Sequence, residues 1–150
     1  MIAHVSIEAE RPEHVARIIA RLMGGEALPF PPCDGAWIAF AAADDGTAVE
    51  VYPQGARVMR GPETIAFDQT EATAGPSATH AAVGSPLSAD EIIEIGQGQG
   101  WTTRSTDRGP FECIELWIED RVLIEVLDPA MQEDYRRNMT VAGWRAMFGM

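Results

Sequence analysis

The sequence predicts an α+β protein made of two tandem βαβββ modules followed by a helical C-terminal tail. Three observations carry this. The stretches "MIAHVSIEAERPEHVARII" and "SATHAAVGSPLSADEIIEI" each place a histidine at the head of a short apolar strand, just ahead of a helix, and His80 follows His4 by 76 residues. After each helix the apolar spacing changes from a period near 3.6 to a period of 2. The two period-2 stretches, "GAWIAFAAADDGTAVEVYP" and "FECIELWIEDRVLIEVLDP", each read as strand, turn, strand, and each closes on Pro.

Taken in order, residues 12–25 set Val15, Ile18, Ile19 and Leu22 at helical spacing, with Pro12 suited to the first turn and Gly24 and Gly25 as terminators. "EALPF" supplies a short strand, and an Asp-Asp-Gly turn joins the next two. In the second copy Ser88 and Glu91 form a capping box ahead of Ile92, Ile93 and Ile95, and "GQGQG" reads as the stop. "WTTRST" is the counterpart short strand, and a tighter turn at Glu119 to Arg121 closes the final hairpin. Gly35 aligns with Phe111 and Ala42 with Ile118 at an offset of 76, while Glu50 aligns with Glu125 at 75, so the second hairpin reads as one residue shorter. The boundaries expected within a single domain are module 1 at about 1–53, an Ala, Thr, Gly and Pro-rich connector at 54–79, module 2 at about 80–129, and a tail at 130–150 carrying helical stretches.

Composition narrows the function. The chain has 150 residues, 46% of them hydrophobic, enough to bury a core, and 23 acidic against 11 basic residues give a net charge of −12. No stripe of Lys or Arg could track phosphates, so nucleic acid and anionic membranes are poor partners. No window approaches the ~20 apolar residues of a membrane span, and the start lacks a basic region followed by an apolar run. A soluble cytoplasmic protein is the expectation. Cys33 and Cys113 lack C-x-x-C spacing and read as two reduced thiols. "GQGQG" follows a helix rather than opening one and is no dinucleotide fingerprint.

Side chains alternate across a strand, so parity assigns faces. Val5 and Ile7 oppose His4, Ser6 and Glu8; Val49 and Val51 oppose Glu50 and Tyr52; Val122, Ile124 and Val126 oppose Leu123, Glu125 and Leu127. The helices need the aliphatic faces, which leaves His4, Glu50, His80 and Glu125 on the other. A carboxylate among Val, Leu and Ile is costly to desolvate unless paired. These four groups could pair among themselves or point at one cation; imidazole with carboxylate suits Zn, Ni, Fe, Mn or Co.

With those residues in place, the chain resembles the vicinal oxygen chelate superfamily, which includes glyoxalase I, extradiol dioxygenases, epimerases and bleomycin or fosfomycin resistance proteins. The likeness covers residues 2–129. It implies two modules curled into a cup-shaped mixed sheet around one divalent metal ion, commonly completed or supported by a homodimer. Carried across by motif, His4 of "AHVSI", Glu50 of "AVEVYP", His80 of "THAAV" and Glu125 of "LIEVLDP" match the ligand positions. "GWTTRSTDRGPFECIELWIEDRVLIEVLDP" and "GWRAMFG" are also similar to an uncharacterised glyoxalase-like bacterial branch. Two His and two Glu fit the lyase, isomerase and epimerase members better than the dioxygenases, with Glu125 or Glu50 as both ligand and general base. The expected partner is a small metabolite bound through neighbouring oxygens; a sequestering, resistance-type protein of the same fold is the alternative.

Further residues line the expected cup. If Ile38, Phe40, Ile114 and Leu116 face the helices, then Trp37, Cys113, Glu115 and Trp117 face the substrate. Arg104 and Arg108 near the rim offer the forked geometry that suits a substrate carboxylate. The tail, with Met131, Tyr135, Met139, Trp144, Met147 and Phe148, is expected to pack on the cup or on a partner subunit.

Overall fold

The computed structural model describes residues 4–60, 65–70 and 80–150. The chain divides into two compact units, Met1–Thr79 and His80–Met150. In the first, β1 (His4–Ala9) leads through α1 (Pro12–Leu22) to β2 (Ala27–Pro29), β3 (Trp37–Phe40) and β4 (Ala48–Pro53). The sheet order is β1-β4-β3-β2, with β1 parallel to β4 and the other pairs antiparallel. The helix packs on β3 and β4. It buries Val15, Ala16, Ile19, Ala20 and Leu22, the stripe that its 3.6-residue period marks. Ile19 and Leu22, nearly inaccessible, each contribute about 1.5–3 kcal/mol of burial. After the helix the chain passes so close to β3 that a Cβ on Gly25 would collide with the Phe40 carbonyl, which is why glycine stands there.

The described part of the connector is not plain loop. It carries an antiparallel pair, β5 (Ala56–Arg60) and β6 (Ile65–Gln69), and the rest of the connector lies outside the described residues. The sequence does not announce these strands because Gly, Pro and Thr surround them and apolar Val58, Met59 and Ile65 stay exposed; only Ala56 and Phe67 pack inward, too few to impose an alternating pattern.

The second unit repeats the plan: β7 (Ala81–Gly84), α2 (Ala89–Gly98), β8 (Thr102–Asp107), β9 (Glu112–Ile118) and β10 (Val122–Leu127), in the order β7-β10-β9-β8. The capping box forms as expected: Ser88 Oγ accepts from the Glu91 N–H, and Glu91 Oε2 accepts from the Ser88 N–H. The helix does not stop at the first glycine of "GQGQG" but runs to Gly98. Gly96 lies under Thr103 and Leu116, where a Cβ would have no room, so close packing rather than termination explains it. Glu119 and Asp120 both take positive φ, 50° and 54°, as the central residues of a primed turn closed by the Arg121 N–H donating to the Ile118 carbonyl. The tail forms α3 (Pro129–Asn138), which packs on β9 and β10, and α4 (Val141–Phe148). Among the described residues, no helix is long and apolar enough to cross a membrane. Cys33 and Cys113 are free thiols, both buried.

The register corrects the alignment of the two hairpins. Ile38 stands opposite Glu50, and Glu115 stands opposite Glu125, so the second hairpin is two residues shorter rather than one. Directly opposed residues share a face, and a one-residue error exchanges the faces of a whole strand. Ile38 and Phe40 therefore lie with Glu50, while Trp37 lies opposite Val51 on the helix side. There the Arg17 guanidinium sits 4.9 Å from the centre of its indole ring. The reason lies in the composition of the strand: in Trp37-Ile38-Ala39-Phe40 large side chains occupy both parities, and the fully buried residue is the small Ala39.

Candidate functional site

In the first unit, alternation along β1 and β4 puts His4, Ser6, Glu50 and Tyr52 on the face away from α1, with Ser6 directly opposite Glu50. The Glu50 carboxylate is buried, and its two oxygens have different surroundings. Oε2 accepts from Ser6 Oγ at 2.8 Å and from Tyr52 Oη at 2.7 Å. Oε1 lies 3.8 Å from His4 Nε2, and the imidazole is half exposed. Tyr52 is pinned in turn: its ring meets Phe30 at 5.9 Å and Phe67 at 5.4 Å, within a small cluster that includes Cys33 and Ala36. Burial, followed by the hydrogen bond to Glu50, pushes the Tyr52 phenol well above its ordinary range, so it donates as a neutral hydroxyl.

The second unit holds its carboxylate by other means. Glu125 pairs with Ala82 on β7 and with Glu115 on β9, and those partners set Cys113, Glu115, Trp117 and Glu125 on one face. Cys113, Glu115 and Trp117 thus share the face of Glu125. Two carboxylates thus stand side by side, both buried. Arg108, from the turn after β8, bridges them: Nη2 reaches Glu115 Oε1 at 2.7 Å and Glu125 Oε1 at 2.8 Å, and Nε reaches Glu125 Oε1 at 2.9 Å. Glu115 Oε2 also accepts from Arg104 Nε at 2.7 Å and Trp117 Nε1 at 3.1 Å. Burial pushes the Glu115 carboxyl up, but the Trp117 N–H, Arg104 and Arg108 outweigh it and hold it below the usual carboxylate range. The Cys113 thiol, fully buried behind this cluster, is pushed up to about 11 by burial and by the Glu125 charge, with Arg108 offsetting part of the rise. It is a neutral thiol near pH 7.

Of the ten residues singled out from sequence, the structure brings His4 to Glu50 in one unit, and Arg104, Arg108, Cys113, Glu115, Trp117 and Glu125 together in the other. It sends Trp37 to the helix side. His80 stands at the surface, immediately ahead of β7, two residues before the Glu125 partner Ala82, as His4 stands two before the Glu50 partner Ser6. Ser6 and Tyr52 were placed on the right face by parity but given no role; a hydroxyl at each position beside a buried carboxylate was the signal. The two arginines, which offer a fork for a substrate carboxylate, here reach protein carboxylates: Arg104 reaches Glu115, and Arg108 reaches both Glu115 and Glu125.

Within either unit, among the described residues, no three His, Cys, Asp or Glu side chains cluster closely enough to hold an ion. The His4 and Glu50 pair does suit one. Two atoms each about 2.0–2.2 Å from an ion lie within about 4.2 Å of each other, and these lie 3.8 Å apart. The other oxygen of Glu50 is held by neutral hydroxyls that add no competing positive charge.

Together, the duplicated sheets and their connections define the vicinal oxygen chelate fold. A fosfomycin resistance protein, FosX, from Listeria monocytogenes, determined with Mn(II) and sulfate, superposes with a TM-score of 0.57 at 12% identity, over 91% of this chain and 96% of its own. FosX from Mesorhizobium loti gives 0.55 at 13% identity over 89% and 95%. A glyoxalase family protein from Bacillus anthracis gives 0.53 at 16% over 84% and 92%. No family model matches the chain, and no curated protein matches it by sequence.

Proposed function

We propose that this protein is a divalent-metal-dependent enzyme of the lyase or isomerase kind, acting on a small metabolite held through neighbouring oxygens, with His4, Glu50, His80 and Glu125 as the ligand set. The observation that carries the reading is the placement of Glu50: one oxygen fixed by Ser6 and Tyr52, the other 3.8 Å from an imidazole. The recurrence of His and Glu at matching register positions in the second unit supports it, as does the Mn(II) named with one FosX structure of the same fold. A bound divalent ion would supply Lewis-acid polarisation of a substrate oxygen.

The chain's own groups do the rest. Ser6 and Tyr52 orient the Glu50 carboxylate, so that Oε1 is the oxygen left to take a ligand or a proton from a carbon acid. Arg108 reaches Oε1 of Glu125 through both Nε and Nη2, which makes Glu50 the better candidate for the base. Assembly as a homodimer belongs to the same proposal. Titration of metal-free protein with Mn, Zn, Ni, Fe and Co should show about one ion per site, lost in Glu50→Gln. Indifference to all five would end the reading.

One observation favours the alternative, a sequestering protein. Arg108 already balances Glu125, and the Arg104 side chain, anchored to Glu115 through Nε, is 63% exposed and turns an outer face to solvent that suits a small organic anion without metal. If anion binding persists in Glu50→Gln and Glu125→Gln without metal, this second reading is preferred.

A further inference from the structure

The second unit contains a bridge that the duplicated plan does not require. Glu115 and Glu125 are directly opposed on neighbouring strands, both buried, and one guanidinium serves both. Such a pair cannot remain ionised without a cation beside it. Glu115 has other support, from Arg104 and the Trp117 indole. For Glu125, Arg108 is the cation in place, and both of its contacts fall on a single oxygen, Oε1. The Arg108 side chain is one-third exposed and stands in the turn between β8 and β9, directly before Gly109 with φ of 90°, so the group that holds Glu125 borders solvent and also reaches Glu115.

We infer that Arg108 is an exchangeable counter-ion for Glu125: it neutralises the carboxylate in the metal-free protein and competes with a divalent cation for it, retiring onto Glu115 when the cation binds. The inference rests on the ligand role proposed for Glu125. The charge balance favours exchange over addition. Arg104 and Arg108 already cancel the two glutamates, so a doubly charged ion entering beside an unmoved guanidinium would meet repulsion at short range. Retreat to Glu115 leaves no buried carboxylate without a partner.

The sign of one measurement decides. If Arg108 competes, Arg108→Gln should bind Mn(II) about ten-fold or more tightly than the unaltered protein, by calorimetric titration of metal-free samples. If Arg108 instead orients Glu125 for the ion, its loss should weaken binding by about 10–100-fold, as removal of supporting groups around metal ligands does. Equal or weaker binding by Arg108→Gln overturns the exchange and leaves the metal reading standing. Absence of Mn(II) binding in both proteins takes the two down together. Arg137→Gln makes the same change in net charge at an exposed pair on α3 and should leave the affinity unchanged; a rise equal to that of Arg108→Gln would overturn a local effect. A measurement on the unaltered protein covers poor folding of the variant. The Arg108 Nε–H resonance should shift on titration with diamagnetic Zn(II), and an unmoved signal at saturation overturns the proposal.

Discussion

The two units answer one physical problem differently. Each buries a glutamate in the strand that pairs with both neighbours, on the face turned away from its helix. In the first unit Glu50 faces Ser6 on one side and Ile38 on the other, with Tyr52 two residues along its own strand. In the second, the corresponding positions hold Ala82, Glu115 and Leu127. Hydroxyls are thus replaced by an alanine and a leucine, and an apolar neighbour by a second carboxylate, which brings two arginines with it. Neutral donors orient a charge without cancelling it; a guanidinium does both. The two units share strand order and the His and Glu register, while the electrostatic setting of the two carboxylates differs.

The sharpest way to break this comparison is Arg108→Ala. With the bridge gone, two opposed buried carboxylates face each other, and unfolding in denaturant should show a loss of about 2–3 kcal/mol, less than for a fully buried pair because the arginine is partly exposed. A loss under about 0.5 kcal/mol would mean that solvent already screens the cluster. The corresponding change in the first unit, Tyr52→Phe, removes one hydrogen bond to a buried charge and should cost about 1.5 kcal/mol. The gap between the two losses measures how differently the units are built.

Acid sharpens the contrast further. Glu115 is held below the ordinary carboxylate range, so its ionised form stabilises the fold above the unfolded value of about 4.3, and that contribution disappears as pH falls through the folded value. Between about pH 5 and 3, Glu115→Gln should therefore lose stability less steeply than the unaltered protein, by at most about 1.4 kcal/mol per pH unit. Parallel curves would show that the carboxylate gains nothing from its partners. The smallest expected effect is a null one. At pH 8 the native protein should leave a thiol-disulfide reagent almost unconsumed over minutes, because Cys113 is inaccessible with its value near 11 and burial also raises Cys33; urea should release both.

Much of this was legible in the chain. Helices α1 and α2 declare themselves through apolar period, Pro12 and the Ser88 box, and β1, β4 and β10 through clean alternation, because each has one face that must be apolar. Parity then suffices to put His4 with Glu50 and Glu115 with Glu125. What stayed hidden depends on contacts with no period. Trp37 was misplaced because β3 is short and bulky on both sides, so only the hydrogen-bond register decides its face. Arg108 lies in a turn, where spacing says nothing about reach, and its hold on two strands follows from a backbone path that a linear reading does not supply. The β5–β6 pair turns only Ala56 and Phe67 inward, too few to mark it.

The ring of Tyr52 is clasped by Phe67, a residue of that same pair, which has no counterpart in the second unit. The aim of a carboxylate in the repeated architecture is thereby governed from an accessory arm grown between the repeats. Remodelling the arm is a route to retuning Glu50 without touching any residue the two halves share, and the twin half, lacking such an arm, has no equivalent handle.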